Sequence, residues 1–139
     1  MESPKHLSHK PIVSVNNYDQ IDASYKPCDT DVRALSIGFA QYNNEDISLK
    51  VWRHTGSRWS RQSEELPIHR NLDLSILFVE SLIMADKTQS IISRPSNMFS
   101  VDRVEDLGKI REYYRRNKDV LYPRLKELKD LIGRFLSND

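Results

Sequence analysis

At 139 residues the chain has room for one hydrophobic core and not for two. Hydrophobic residues at 38% beside charged residues at 29% exclude a disordered polymer, because the apolar residues are gathered into segments rather than diluted. A formal net charge of +1 excludes nucleic-acid coating through bulk charge; genomic DNA is disfavoured, and attraction for phosphate has to come from a local patch.

Cys28 is the only cysteine, which rules out an intrachain disulfide and a Cys-rich zinc site and suits a reducing compartment. No apolar stretch opens the chain. The one long apolar run, Leu72 to Met84, is broken by Asp73, Glu80 and Ser81 and is too short to span a bilayer. The expectation is a cytoplasmic protein without a membrane anchor.

In chain order, residues 1–10 show no apolar periodicity and read as a mobile N-terminal arm. Ile12, Val13 and Val15 form a β-branched run closed by Asn16 and Asn17, a strand followed by a turn. Tyr18 to Asp31 gives mixed turn signals. Leu35, Ile37 and Phe39 alternate with Ser36, Gly38 and Ala40, which predicts a strand whose small-residue face is closely covered; a helix from Asp31 through residue 43 is the alternative. Ile47, Leu49 and Val51 alternate with Ser48, Lys50 and Trp52, the clearest strand signature in the chain. Thr55 and Gly56 then mark a hairpin tip, and Trp59 to Glu65 reads as the returning edge strand.

Pro67 opens a helix over Ile68 to Met84, with Glu64 and Glu65 just ahead of it giving the favourable dipole sign. Its apolar residues occupy more than one stripe, so it is expected to be central and to cover the sheet. Lys87 to Ser100 reads as a loop with a short strand at Ile91 and Ile92. Asp102 and Glu105 resemble a capping box that starts a further helix, interrupted at Asn117 and Asp119. Leu121, Leu125, Leu128, Ile132 and Phe135 recur at three and four residues, so the chain ends in an amphipathic helix that packs on its own body or on a partner helix in a homodimer. The fold class expected is α+β: a small antiparallel meander with a Trp-bearing hairpin, covered by a central apolar helix and followed by C-terminal amphipathic helices. The arm over 1–10, the α+β body over 11–100 and a helical segment over 101–139 packed on the body are the expected divisions.

Three patches invite chemistry. With Thr55 and Gly56 at the tip, Trp52 faces Trp59 and Lys50 faces Arg61, while Ile47, Leu49 and Val51 face the core. No acid occurs from Ile47 through Ser63. Lys50, Trp52, His54, Arg58, Trp59 and Arg61 would then make an outward basic and aromatic face suited to a base and its phosphate; the plainer reading is a hairpin held by its tryptophans. The second patch is Glu64, Glu65, His69 and Asp73. The first two have the chemistry of an acid and a base, and His69 and Asp73 lie one helical turn apart. No third ligand and no catalytic signature accompanies them, and a role for the acids in starting the helix and pairing with Arg61 or Arg70 is favoured. The third patch is Lys109, Arg111, Tyr113, Tyr114, Arg115, Arg116 and Lys118, where a solvated helix face is favoured over a duplex contact.

The run from Trp52 to Leu74, with Asn17 to Asp22 and Ala34 to Asn43, resembles a family of short uncharacterised bacterial proteins, a domain of unknown function marked by KVWRHTG and WSRQSEELPIHR. The resemblance covers about the first 85 residues. It implies a bacterial or phage setting and a single-domain body, and transfers no activity. The residues themselves imply no cofactor, no complete metal set and no catalytic set. The leading expectation is a non-catalytic protein that sequesters or senses a phosphate-bearing small molecule or nucleotide at the hairpin. A protein-interaction module dimerising through the C-terminal helix is the alternative, and a small metal-dependent hydrolase or nuclease using Glu64, Glu65, His69 and Asp73 is the third.

Overall fold

A computed structural model describes residues 1–23, 25–27, 29–86 and 100–139. Cys28 and the strand expected at Ile91 and Ile92 lie outside the described residues. The chain divides into two compact units, Met1–Leu74 and Ser75–Asp139, and the division falls within a helix.

The first unit holds a four-stranded antiparallel sheet in sequential order, β1 (Lys10–Asn16), β2 (Val32–Phe39), β3 (Ile47–Arg53) and β4 (Glu65–Pro67). The α+β class is therefore as the alternation of apolar residues indicated, and residues 32–39 are strand rather than helix. Asn17, in the left-handed region at φ 53, turns the chain out of β1 into a 3-10 turn at Tyr18–Gln20, a conformation asparagine tolerates better than most residues.

The two faces of the sheet are inverted relative to expectation. Ala34, Ser36, Ser48, Lys50 and Trp52 are buried, whereas Leu35, Ile37, Leu49 and Val51 are only half-buried and Val13, Val15 and Phe39 are exposed. The cause is residues 1–9, which occupy the small-residue face: Ser3 and His9 are buried, Ser3 Oγ lies 2.6 Å from Ser14 Oγ, and the Met1 carbonyl accepts from the Asn17 amide at 3.1 Å. Close cover of that face is what Ser36, Gly38 and Ala40 implied. Gly38 is required there, since a Cβ would sit 2.0 Å from the Lys10 carbonyl oxygen.

The helix α1 (Ile68–Met84) begins where the proline predicted. Along it Leu72, Leu74, Ile76, Leu77 and Val79 are exposed and Leu82 is buried. Neither acid lies in its first turn; both are engaged in the sheet unit. In the second unit a 3-10 turn, Val104–Asp106, leads into α2 (Leu107–Arg116), and α3 (Lys118–Ser137) follows after Asn117. The Asp102/Glu105 box is not formed: no side chain caps either start, and Asp106 instead pairs with Lys109 at 2.8 Å. Asn117 does interrupt the helices, its side-chain amide donating to the Tyr113 carbonyl at 2.9 Å.

Candidate functional site

The most highly organised polar cluster lies between the N-terminal segment and the sheet. His9 is fully buried. Its Nδ1 is 3.0 Å from Glu65 Oε1 and 3.0 Å from Ser48 Oγ, and its Nε2 is 3.0 Å from Ser36 Oγ. Ser48 donates to the same Glu65 oxygen at 2.6 Å, the Gln41 amide donates to it at 3.0 Å, and Trp52 Nε1 donates to Ser36 at 2.8 Å. One assignment satisfies every group: Trp52 donates to Ser36, the Ser36 hydroxyl to His9 Nε2, and His9 Nδ1–H to the Glu65 carboxylate. Burial raises the Glu65 pKa, but the hydrogen bonds from Ser48, Gln41 and His9 and the nearby Lys50 charge outweigh it and hold the carboxyl below its usual range. Lys50 is lowered by burial, partly offset by Glu65.

The Ser36, His9 and Glu65 order is that of a hydrolytic triad, but the environment is not. Ser36 and His9 are 5% and 0% exposed, and the serine oxygen already accepts from an indole. A nucleophile so placed has no access to substrate, and the chain of hydrogen bonds serves to fasten residues 1–9 to the sheet.

The hairpin face expected to bind phosphate is differently built. Trp52 is 1% exposed, packed edge-on against His9 at 5.6 Å and Trp59 at 5.7 Å, with the Lys50 ammonium 4.5 Å from its ring centre. The two indoles are together, but one is interior. The expected register also shifts. Lys50 lies opposite Glu65 and His54 opposite Trp59, because the Thr55 amide closes the tip on the Arg58 carbonyl at 2.8 Å and residues 61–62 form a turn ahead of a β4 that starts only at Glu65. Arg61 is thereby displaced from Lys50. Trp59 and His54 are half-buried, ring centres 5.0 Å apart, and Arg58 and Arg61 are exposed.

The acid and metal cluster is dispersed. Glu64 takes Arg53 in a forked pair, with Nη2 2.7 Å from its carboxylate, and Asp31 holds the same guanidinium at 2.6 Å. The hydrogen bonds from Arg53 hold Glu64 below its usual range, and the bond to Glu64 chiefly raises Arg53. The histidine beside Glu65 is His9, not His69; His69 and Asp73 are exposed on α1. Among the described residues no group of three His, Cys, Asp or Glu side chains is placed to hold a metal. Of the third patch, Arg111 turns to the Leu82 carbonyl at 3.2 Å and to Asp86 at 3.6 Å, while Lys109, Tyr113, Arg115, Arg116 and Lys118 are exposed.

Among the hollows that adjoin the sheet, two bear on the expected site. One, of about 480 Å³, is lined by Tyr18, Tyr25, Asp22, Asp29, Asp31 and Glu64 around Arg53; its charge is opposite to what a phosphate needs. The other, of about 330 Å³, is an apolar groove on the open face, lined chiefly by Val13, Val15, Leu35, Ile37, Leu49 and Val51. No described helix is long and apolar enough to cross a membrane.

Compared with known families, residues 1–136 match DUF6530, a family of unknown function, so the likeness extends well beyond the first 85 residues. No curated protein and no solved structure is significantly similar.

Proposed function

We propose that this chain, which belongs to the DUF6530 family, acts through protein contacts and not through chemistry, as a module that pairs with a second copy through α3. The observation that carries this reading is the state of that helix: Leu128, Leu131, Ile132, Phe135 and Leu136 are between 42% and 69% exposed. Leu121, Leu125, Leu128, Ile132 and Phe135 fall on the alternating four- and three-residue spacing of a two-stranded coiled-coil seam. Five side chains about half exposed, at roughly 1.5–3 kcal/mol for complete burial of each, leave about 4–7 kcal/mol ungained per copy. A symmetric pair doubles that, which is comparable with the roughly 4–15 kcal/mol cost of association.

A phosphate-binding hairpin is less well supported, since Trp52 and Lys50 are buried, and the hydrolase reading loses its ligand set. The test is sedimentation equilibrium of the unmodified chain and of Leu128→Asp/Ile132→Asp. Both positions are exposed, so the fold should persist. A dimer of the 16.3 kDa chain that the double variant dissociates is expected; equal masses for the two proteins overturn the proposal.

A further inference from the structure

Charge is segregated along the helices of the second unit. From Leu107 to Lys126 the chain carries seven Lys or Arg residues against two acids, Glu112 and Asp119, a net of +5; the whole chain carries +1, which leaves −4 for the rest. A solvated helix face accounts for charges of either sign but not for this separation, which creates a local field that the net value conceals. The structure sorts the seven cations. Arg111 is turned to the Leu82 carbonyl and Asp86, Lys109 pairs with Asp106, Lys126 pairs with Asp130 at 3.1 Å, and Arg124 donates to the Val120 carbonyl at 3.0 Å. Arg115, Arg116 and Lys118 remain. All three are exposed, and none is in an ion pair with a described residue. Arg115 and Arg116 suit the dipole at the end of α2, but Lys118 opens α3, where a cation is disfavoured, and three like charges within four positions repel one another. Folding does not account for the set; an anion would relieve it.

We propose that the outward side of α2 and the first turn of α3 bind single-stranded nucleic acid, with Arg115, Arg116 and Lys118 on phosphates and Tyr113 and Tyr122 stacked on bases. The two tyrosines are 52% and 49% exposed; Tyr113 lies one helical turn before Arg116, and the Tyr122 ring centre is 5.8 Å from Lys118 Nζ. A shallow hollow of about 390 Å³ lies among Lys109, Glu112, Arg115 and Arg116, so phosphate would approach past one carboxylate. Guanidinium forks match phosphate oxygens, and an exposed phenol ring stacks on any unpaired base, which a duplex does not offer. An anionic membrane is met instead by a helix with an apolar side to insert. The residues exposed on α2 are Gly108, Lys109, Glu112, Tyr113, Arg115 and Arg116, with no aliphatic side chain among them. Every residue of the surface belongs to Ser75–Asp139, so it is a property of that unit by itself and stands whether or not α3 pairs with a second copy.

The experiment is fluorescence anisotropy of a dye-labelled oligothymidine strand titrated with the full chain from about 20 mM salt upward, where phosphate contacts are least screened. Binding is expected to fall with salt at a logarithmic slope of about −2, which is three phosphates at about 0.7 each for a single strand. Arg115→Gln/Arg116→Gln/Lys118→Gln should lower the affinity at the lowest salt at least about 100-fold and flatten the slope. Tyr113→Ala should lower it at least about 5-fold and leave the slope unchanged. Arg58→Gln/Arg61→Gln, which removes two exposed charges from the hairpin, should leave it unchanged. All the substituted positions are exposed, and far-UV circular dichroism reports whether the helices persist. An unmodified chain that does not bind the strand overturns the proposal, as does an equal loss in the hairpin variant, which would make net charge the cause. Sedimentation with phosphatidylserine vesicles but no binding to the strand overturns it in favour of a membrane. Tyr113→Ala without effect overturns the single-strand assignment.

Discussion

His9→Ala tests whether the buried hydrogen-bond chain holds the sheet unit together. The substitution removes a charge-assisted donor from Glu65, worth about 1.5–3 kcal/mol, and leaves the Ser36 hydroxyl without an acceptor, which costs about 1–3 kcal/mol. It also deletes a ring packed against Trp52 at 5.6 Å. The expected loss is about 3–6 kcal/mol out of the roughly 5–15 kcal/mol typical of a domain, a shift of about 2 M in the urea midpoint at ordinary m-values. Both tryptophans belong to Met1–Leu74, so their fluorescence during urea titration reports this unit alone. His9→Gln can offer one donor and one acceptor at similar reach and should lose about 1–2 kcal/mol. A midpoint shift below about 0.5 M for His9→Ala refutes the structural role given to the network.

Acid should weaken the same unit. Glu65 titrates below its ordinary value in the folded chain, so the unfolded chain takes up its proton first; the contribution is complete above the usual glutamate pKa near 4.3 and is lost as pH falls through the folded value. Glu65→Gln should flatten the acid limb of a stability–pH curve measured by urea titration, and an unchanged limb would assign the sensitivity elsewhere. Gly38→Ala should cost about 1–3 kcal/mol or more, since the new methyl meets backbone 2.0 Å away. Gly56→Ala, at φ +101 with open space around it, should cost only about 1 kcal/mol of conformational strain; the reverse ranking in thermal melts would contradict the close approach of Lys10.

The first three strands, the start of α1 and the terminal helix were legible because each rests on a local signal: period-two alternation, Pro67, and leucines at three- and four-residue spacing. The orientation of the sheet was not legible. Alternation shows that Leu35 and Ser36 point oppositely, but which face is covered depends on what packs there. The cover comes from residues 1–9, a segment with no periodicity of its own. His9 reaches Glu65 across 56 positions, and nothing local in either residue announces the pairing. The small residues Ser36 and Gly38 imply close cover of their face, but small size alone does not say that this polar face is the inner one. The hairpin register failed for a related reason, because a turn at residues 61–62 leaves no mark in a pattern already polar on both sides.

The direction of the hydrogen-bond chain has a consequence for how the fold is specified. In most sheets a slipped strand is rejected because it carries greasy residues into water. Here greasy residues are outside already, so that penalty is weak on the open side. What a one-residue slip of β2 would do is swing Ser36 away and present Leu35 or Ile37 to His9, leaving an imidazole nitrogen and an indole N–H without their shared partner in the interior. Pairing accuracy is thus enforced by the grammar of donors and acceptors on the inner side, a polar proofreading of strand alignment.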